Sequence, residues 1–251
     1  MFGLRINTDG DKKFKNVYIA WINDKYKRQK MEEQHIVKIL SVEAVTHDVK
    51  RFRVEKPTDY RFLPGQATEV TIHQEGWLDK RSPFTFTSLN AEAALEFTIK
   101  IYDDHQGVTH QLGQLTPGDE LILHDVWGAI QYKGEGTFIA GGAGVTPFIA
   151  IFRQLHADKK IGANQLICSN KTEADIILKD EFTELLGANF INVITGEPAS
   201  GYHHGRIDEA YLKDRITDFS QQFYVCGPDP MIDSIQQALK NLGASAVTVE
   251  L

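Results

Sequence analysis

The sequence predicts two domains, an antiparallel β-barrel followed by an α/β domain with a doubly wound, parallel, five-stranded sheet. Hydrophobic residues recur with a period of two between residues 35 and 126, whereas strand-like and helix-like segments alternate from residue 137 onward. A glycine-rich stretch, GGAGVTP at residues 141–147, also lies between an apolar strand and an apolar helix. The chain has 251 residues, of which 42% are hydrophobic, and this is enough for two compact domains.

The barrel is predicted from short segments rich in Val, Ile, Phe and Thr. Turn signals such as Pro64-Gly65 and Pro117-Gly118 separate them, as expected for antiparallel strands. We expect this small barrel domain to span residues 31–130. The predicted strands are residues 36–45, 49–56, 67–73, 96–102 and 120–126.

The second half is predicted to be a parallel sheet with helices on both faces, spanning residues 131–251. In such sheets, ligands bind at the carboxyl ends of the strands. The predicted strands are residues 137–140, 165–168, 190–195, 222–226 and 247–251, and the predicted helices are residues 147–156, 174–186, 207–216 and 229–242.

The first thirty residues differ in charge from the rest. They contain eight Lys or Arg and three Asp, a net charge of +5, whereas the whole chain carries −7. We expect residues 1–30 to be an N-terminal appendage, which an upstream choice of start site would explain. A basic membrane-surface anchor is the alternative.

Composition excludes several classes of protein. No apolar run approaches the roughly 20 residues of a membrane span, and the N-terminus lacks the features of a signal peptide, so we expect a cytoplasmic protein. Two cysteines, Cys168 and Cys226, cannot build a disulfide framework or a four-cysteine iron–sulfur site. Redox chemistry would therefore need an organic cofactor. We expect no metal site, His203-His204 being a solvated pair, no nucleic-acid partner, and a monomer.

The glycine-rich stretch is a candidate dinucleotide-binding turn. Its three glycines would let the backbone approach a ligand and adopt positive φ, and the N–H groups that begin the following helix would favour a pyrophosphate. The alternative is a tight connection from strand to helix that binds no ligand.

A second informative stretch is KRSPFTFTS at residues 80–88. It places cations, aromatic rings and hydroxyls on one predicted strand. A planar heteroaromatic cofactor that carries a phosphate would use each of these groups. The alternative is an ordinary strand with Phe84 and Phe86 facing inward.

Five short motifs occur in one order along the chain. They are Pro64-Gly65-Gln66, Phe84-Thr85, Gly107-Val108-Thr109, the stretch at residues 141–147, and Cys226-Gly227-Pro228. In this order, residues 34–251 resemble the ferredoxin–NADP reductase family, and most closely its small flavodoxin/ferredoxin reductase-like members.

The resemblance implies FAD on the barrel and NADH or NADPH on the α/β domain, with hydride passing from C4 of the nicotinamide to N5 of the flavin. Thr85 would then hydrogen-bond near N5 beside Phe84, and Cys226 would pack near the nicotinamide; a small buried residue is the alternative for Cys226. The remaining implied contacts are Gly107, Val108 and Thr109 with the flavin phosphates, and Gly141, Gly142, Gly144, Val145, Thr146, Pro147, Gly227 and Pro228 with the nicotinamide nucleotide.

The chain departs from the family pattern at two positions near the flavin. Ser82 occupies the place of the family's arginine, and Arg81 lies one residue earlier. Either a one-residue bulge brings Arg81 to the flavin phosphate or another cation, such as Lys100, serves there. The chain ends without the aromatic residue that covers the flavin in plant-type members, so we expect the nicotinamide to reach the flavin with less gating. Glu250 resembles an acidic residue that those members use near the flavin; the alternative is an ordinary terminal charge.

Charge at the adenosine end decides between NADH and NADPH. Lys171 offers one cation after the second strand, whereas Glu197 stands where members specific for NADP carry an arginine. The balance favours NADH. Arg206 would reverse this preference if its loop folded back.

The resemblance implies that electrons leave to a separate acceptor such as flavodoxin or ferredoxin. A basic segment of the barrel offers a docking surface for an acidic partner; the alternative is a solvated strand. Other functions left open are reduction of free flavin, a ferric chelate or an oxygenase component, and a non-catalytic nucleotide-binding subunit. The basic residues are Lys50, Arg51, Arg53, Lys56 and Arg61.

Overall fold

The computed structural model describes residues 34–104, 106–128 and 130–250, with only the backbone of Glu250. The predicted appendage at residues 1–30 lies outside the described residues. From His35 onward the chain forms one compact unit. The predicted division between residues 130 and 131 therefore stays a prediction.

The first half is a six-stranded antiparallel sheet with the strand order β4-β3-β6-β1-β2-β5. A bridge between Phe86 and Phe97 joins its two outer strands and closes the sheet into the predicted barrel. Phe52, Phe86 and Phe97 lie in its core. The strands are β1 (His35–Ala44), β2 (Val49–Glu55), β3 (Ala67–Ile72), β4 (Arg81–Thr85), β5 (Ala94–Lys100) and β6 (Glu120–Trp127), and the short helix α1 (Val108–Leu112) follows β5.

The second half is a parallel sheet with the order β10-β9-β8-β7-β11-β12. The order reverses between β7 and β11, which places a topological switch point where these two strands end. The described strands are β7 (Gly136–Gly141), β8 (Gln165–Asn170), β9 (Phe190–Ile194), β10 (His203–His204), β11 (Gln222–Cys226) and β12 (Val247–Glu250).

The doubly wound architecture is confirmed, but the sheet contains six strands within the described residues where the sequence predicts five. The additional strand is β10, in which His203 and His204 pair with Val193 and Ile194 of β9. Both histidines are exposed, as expected of a solvated pair. Two exposed residues give no hydrophobic pattern, so backbone pairing alone defines this strand.

Four helices cover the parallel sheet: α2 (Thr146–Ala157), α3 (Lys179–Leu186), α4 (Glu209–Arg215) and α5 (Asp229–Asn241). The predicted helix at residues 174–186 begins later than expected. Asp175 forms a capping box with Thr172 that closes a separate turn, and Leu178 then adopts a left-handed conformation with φ 52°. Of the helices described, none has the length and hydropathy needed to cross a bilayer.

Candidate functional site

The glycine-rich turn leads from β7 into α2 at the switch point of the sheet. Gly142 has φ +52°, and open space surrounds the position of its missing Cβ. A Cβ on Gly144 would lie 2.6 Å from the carbonyl carbon of Cys226, and one on Gly141 would lie 2.9 Å from Cδ of Pro228. Of the three glycines, only Gly142 adopts positive φ, whereas the sequence predicts that all three could. Gly141 and Gly144 are needed for a different reason: they allow the turn to pack on the end of β11.

The start of α2 is suited to an anion. No side chain caps the helix, and its first turn contains no acidic residue. A 3-10 turn over Gly142–Val145 leads directly into α2, and the N–H of Thr146 is already bonded to the carbonyl of Ala143. The unpaired N–H groups are therefore those at the start of this turn, and such groups carry partial positive charge and bind phosphate readily. Thr146 also donates its hydroxyl to the carbonyl of Ala143 at 3.0 Å. Val145 and Pro147 are buried, so their side chains serve the core.

A cleft of about 310 Å³ lies beside this turn. Gly141, Gly142 and Pro228 line it from the switch point, and Lys171 from the segment after β8. Lys100, at the end of β5, lines the same cleft from the barrel. The structure thus gathers five of the predicted site residues, from both halves of the chain, around one space.

An ion pair at the rim holds Lys100 in place. Its Nζ lies 2.7 Å from Oδ2 of Asp48. Burial acts to raise the pKa of Asp48, but the hydrogen bond and charge of Lys100 outweigh this effect and lower it. His47 lies 3.7 Å from Asp48 and from Asp175, close enough for these three side chains to share a metal ion. Because Lys100 already compensates the charge of Asp48, we interpret the cluster of His47, Asp48 and Asp175 as polar contacts at the rim and not as a metal site.

An adjoining cavity of about 560 Å³ extends from Pro228 and Met231 toward α4. Ser169 and Thr195 line it together with Arg206 and Asp208. The loop before α4 therefore brings Arg206 to this cavity, whereas Glu197 is not among its lining residues. Asp208 caps α4 by accepting a hydrogen bond from the backbone N–H of Tyr211 at 2.8 Å.

Strand β4 carries the residues predicted at the flavin. Its register with β3 is continuous from Thr71↔Arg81 to Ala67↔Thr85, so the bulge that would shift Arg81 is absent from this strand pair. Nη1 of Arg81 donates to Oε2 of Glu69 at 3.2 Å. Phe84 is half-buried against the barrel core, which agrees with the alternative that β4 is an ordinary strand with Phe84 facing inward. The neighbouring Thr85 therefore faces outward.

Thr85 belongs to a row of three residues that share one side of β4, β3 and β6. Ala67 pairs with Thr85 on one side and with Trp127 on the other. Val126 packs against the barrel core, so Trp127 points outward, and it is 42% exposed. Ala67 between them is only 3% exposed, so the hydroxyl and the indole are the accessible groups of this row. Sequence reasoning missed Trp127, although an aromatic residue at the end of a barrel strand was a usable signal.

The short helix α1 offers backbone donors. Gly107 precedes it in an extended conformation, with open space around the position of its missing Cβ and no side-chain cap. The N–H groups of Val108 and Thr109 are at the start of the helix and have no partner within it. Together with the hydroxyl of Thr85 and the exposed indole of Trp127, these donors match the groups that FAD presents, a planar ring and phosphates.

Cys226 is half-buried at the carboxyl end of β11. In the register of the sheet it lies between Ala140 and Glu250, so the backbone of Glu250 adjoins it. The position of Gly227 is also tight, because a Cβ there would lie 3.1 Å from the backbone nitrogen of Gly141. Cys168, by contrast, is fully buried, and burial raises the pKa of its thiol.

Two family models match the chain. The oxidoreductase FAD-binding domain matches residues 36–132, and the oxidoreductase NAD-binding domain matches residues 138–237. These matches and the site define an oxidoreductase that binds FAD and a nicotinamide nucleotide. The chain belongs to the ferredoxin–NADP reductase family.

Solved structures share this fold. A ferredoxin NADP+ reductase from Neisseria gonorrhoeae, with bound FAD and NADP, superposes with a TM-score of 0.77 at 20% identity and covers 86% of this chain and 98% of that one. The cytochrome b5 reductase domain of Ulva prolifera nitrate reductase gives a TM-score of 0.74 at 20% identity, covering 87% and 97%.

Curated relatives differ in their partners and lengths. The reductase component of propane 2-monooxygenase from Mycolicibacterium smegmatis is 27% identical over 226 residues, which cover 83% of this chain and 63% of the relative. NADH-cytochrome b5 reductase 1 of Kluyveromyces lactis is 29% identical, with coverages of 86% and 82%. NADH nitrate reductase 2 of Phaseolus vulgaris is 27% identical, but the chain spans only 27% of its length.

Proposed function

We propose that this oxidoreductase transfers a hydride from NADH to bound FAD and passes the electrons to a separate acceptor protein. The observation that supports this most directly is the cleft in which Lys100 of the barrel faces Gly141, Gly142 and Lys171 of the parallel sheet. A nucleotide there would contact both halves of the chain. When bound, FAD supplies the ring atom that accepts the hydride and the capacity to release electrons singly.

The residues of this chain would bind and orient the nucleotide. The N–H groups at the start of the turn Gly142–Val145 would hold the pyrophosphate, with Lys171 and the ion-paired Lys100 as the cations nearby. Cys226 and Gly227, at the end of β11, would limit where the nicotinamide lies. Thr85 would donate a hydrogen bond to the ring on the barrel.

NADH is the proposed donor because the cavity of about 560 Å³, where the adenosine end would lie (the adenosine-end cavity), has no net positive charge. The Arg206 loop does fold back to this cavity, as the NADPH alternative requires, but among the described lining residues the charge of Arg206 is balanced by that of Asp208. A 2′-phosphate carries up to two negative charges and would lack a sufficient counter-charge there. The names of several relatives, including the NADH-cytochrome b5 reductases, agree with this preference.

The acceptor proposed is a small redox protein, flavodoxin or ferredoxin being the first candidates. Of the basic segment, Arg53 and Arg61 are exposed, and the other three residues have partners within the protein. Lys50 donates to the carbonyl of Gly113 at 2.7 Å, and Arg51 lies 3.6 Å from Glu43. Lys56 bonds the carbonyl of Asn90. The names of the relatives favour a second candidate, an oxygenase component or a cytochrome.

Anaerobic reduction of the FAD-loaded protein tests both parts of the proposal. We expect the flavin band near roughly 450 nm to bleach faster with NADH than with NADPH. The reduced protein is then mixed with flavodoxin, ferredoxin, cytochrome b5, free FMN and a ferric chelate. A strong preference for NADPH would refute the proposed donor, and faster reduction of FMN or the chelate than of any protein would refute a protein acceptor.

A further inference from the structure

One arginine outside both cavities connects the helix after the glycine-rich turn (the nucleotide turn) to the segment after β4 (the flavin strand). Arg153 lies on α2, the helix that begins at the glycine-rich turn, and it lines neither the cleft nor the adenosine-end cavity. Its side chain is only 18% exposed. It therefore acts through its protein contacts.

Arg153 bonds two segments of the barrel at once. Its Nη1 donates to the backbone carbonyl of Thr87 at 2.7 Å and to Oε1 of Glu96 at 2.7 Å. Thr87 lies two residues after Thr85, and Glu96 belongs to β5. The guanidinium thus attaches α2 to the segment that follows the flavin strand.

The other side of the guanidinium is held by α3. Nε donates to Oε1 of Glu181 at 2.5 Å, and Nη2 donates to Oε2 at 2.9 Å. This two-point pairing restricts the orientation of the planar group. Glu96 is restricted as well, because Thr87 donates its hydroxyl to Oε1 at 2.8 Å and Arg51 lies 3.8 Å from Oε2.

A buried ion pair of this kind adds little net stability, because the cost of desolvation offsets much of the attraction between the charges. What it does fix is the relative position of the segments that it joins. The rate of a transfer between two bound groups depends steeply on their separation, and a displacement of about 1 Å can cost 100-fold. A fixed link between the nucleotide turn and the flavin strand is therefore useful to hydride transfer in particular.

We propose that Arg153 is a positioning residue that aligns the bound nicotinamide with the flavin by joining α2 to Thr87 and Glu96. This inference rests on the proposed hydride transfer. Arg153 lines neither cavity; it sets the position of the helix that follows the glycine-rich turn.

The test compares FAD-loaded wild type with Arg153→Lys, which keeps the charge but loses the planar fork, and Arg153→Met, which loses both. Lys179→Met is the matched control, because it removes an ion pair with Glu173 in the same half of the chain. Anaerobic stopped-flow spectroscopy gives the rate constant of flavin reduction, and titration gives the NAD+ dissociation constant. Deuterated NADH gives the isotope effect, and hydrogen exchange reports on residues 86–97 and on α2.

We expect both Arg153 variants to reduce flavin about 10- to 100-fold more slowly per bound FAD, with a larger isotope effect and NAD+ affinity within about threefold of wild type. The control should stay within about twofold. Reduction by Arg153→Lys at the wild-type rate, or a loss that matches lost FAD, would overturn the inference. If neither NADH nor NADPH reduces the wild-type protein, the proposed function fails, and hydrogen exchange alone tests the contact between α2 and the barrel. Faster exchange of residues 86–97 and α2 in Arg153→Met supports that contact, and unchanged exchange refutes it.

Discussion

The glycine-rich turn and strand β4 are the two predicted cofactor regions, and they are built in different ways. The turn is defined by backbone packing: Gly144 lies against the backbone of Cys226, and Gly141 lies against Pro228. On β4, the side chains predicted to contact the flavin are half-exposed or exposed, and Arg81 is bonded to Glu69 of β3. The nucleotide region is thus shaped before any ligand binds, whereas the flavin region depends on side chains that have other partners.

The largest predicted difference between these regions concerns one added methyl group. In Gly144→Ala the new Cβ would meet the carbonyl group of Cys226, so the turn or β11 has to move. We expect a loss of about 1–3 kcal/mol in the free energy of unfolding and weaker NADH binding. Urea denaturation of the FAD-free protein and NADH titration of the loaded protein measure these effects.

Gly107→Ala is the matched change in the flavin region. Gly107 has φ −98°, and nothing lies within 4 Å of its missing Cβ. The free energy of unfolding should change by less than about 0.5 kcal/mol. Equal losses in the two variants would contradict the contrast between the regions.

The difference also explains how far the sequence predicts the structure. A strand, a run of glycines and an apolar helix are contiguous, so the nucleotide turn and most barrel strands were identified from local pattern. Arg153 was missed because its partners Thr87, Glu96 and Glu181 come from three distant segments. The predicted bulge at Arg81 is wrong. Register depends on how β4 pairs with β3, and the spacing of residues within one strand does not specify that pairing.

Lys100 provides the next test, because it is a barrel residue that lines the nucleotide cleft. Lys100→Met should weaken NAD+ binding about tenfold, or about 1.4 kcal/mol, because it removes a cation near the pyrophosphate and leaves the carboxylate of Asp48 unpaired beside the cleft. FAD affinity should be unchanged. Isothermal titration measures both, with Lys80→Met as the control, since Lys80 lies over the ring of Trp77 at 4.1 Å. A loss of FAD affinity instead would assign Lys100 to the flavin phosphate.

Trp127 tests the flavin region with a smaller expected effect. In Trp127→Ala the indole that flanks Ala67 is removed, and contact between aromatic rings contributes about 0.5–1.5 kcal/mol. We therefore expect FAD affinity to fall about two- to tenfold, with the affinity for NAD+ unchanged. FAD binding should also quench less tryptophan fluorescence than in wild type. The same quenching in both proteins would show that the ring does not approach Trp127.

Arg81 should give the smallest effect, and this distinguishes the chain from the family pattern. A cation that held the flavin phosphate would cost at least about tenfold in FAD affinity on removal. Arg81 pairs with Glu69 across a continuous register, and its side chain is 34% exposed. An exposed pair of this kind contributes about 0–1 kcal/mol. Arg81→Met should therefore lower FAD affinity less than about threefold in equilibrium titration, as should Glu69→Gln. If Glu69→Gln strengthened FAD binding while Arg81→Met abolished it, Arg81 would have to leave Glu69 for the phosphate, and the flavin region would then form only as the cofactor binds.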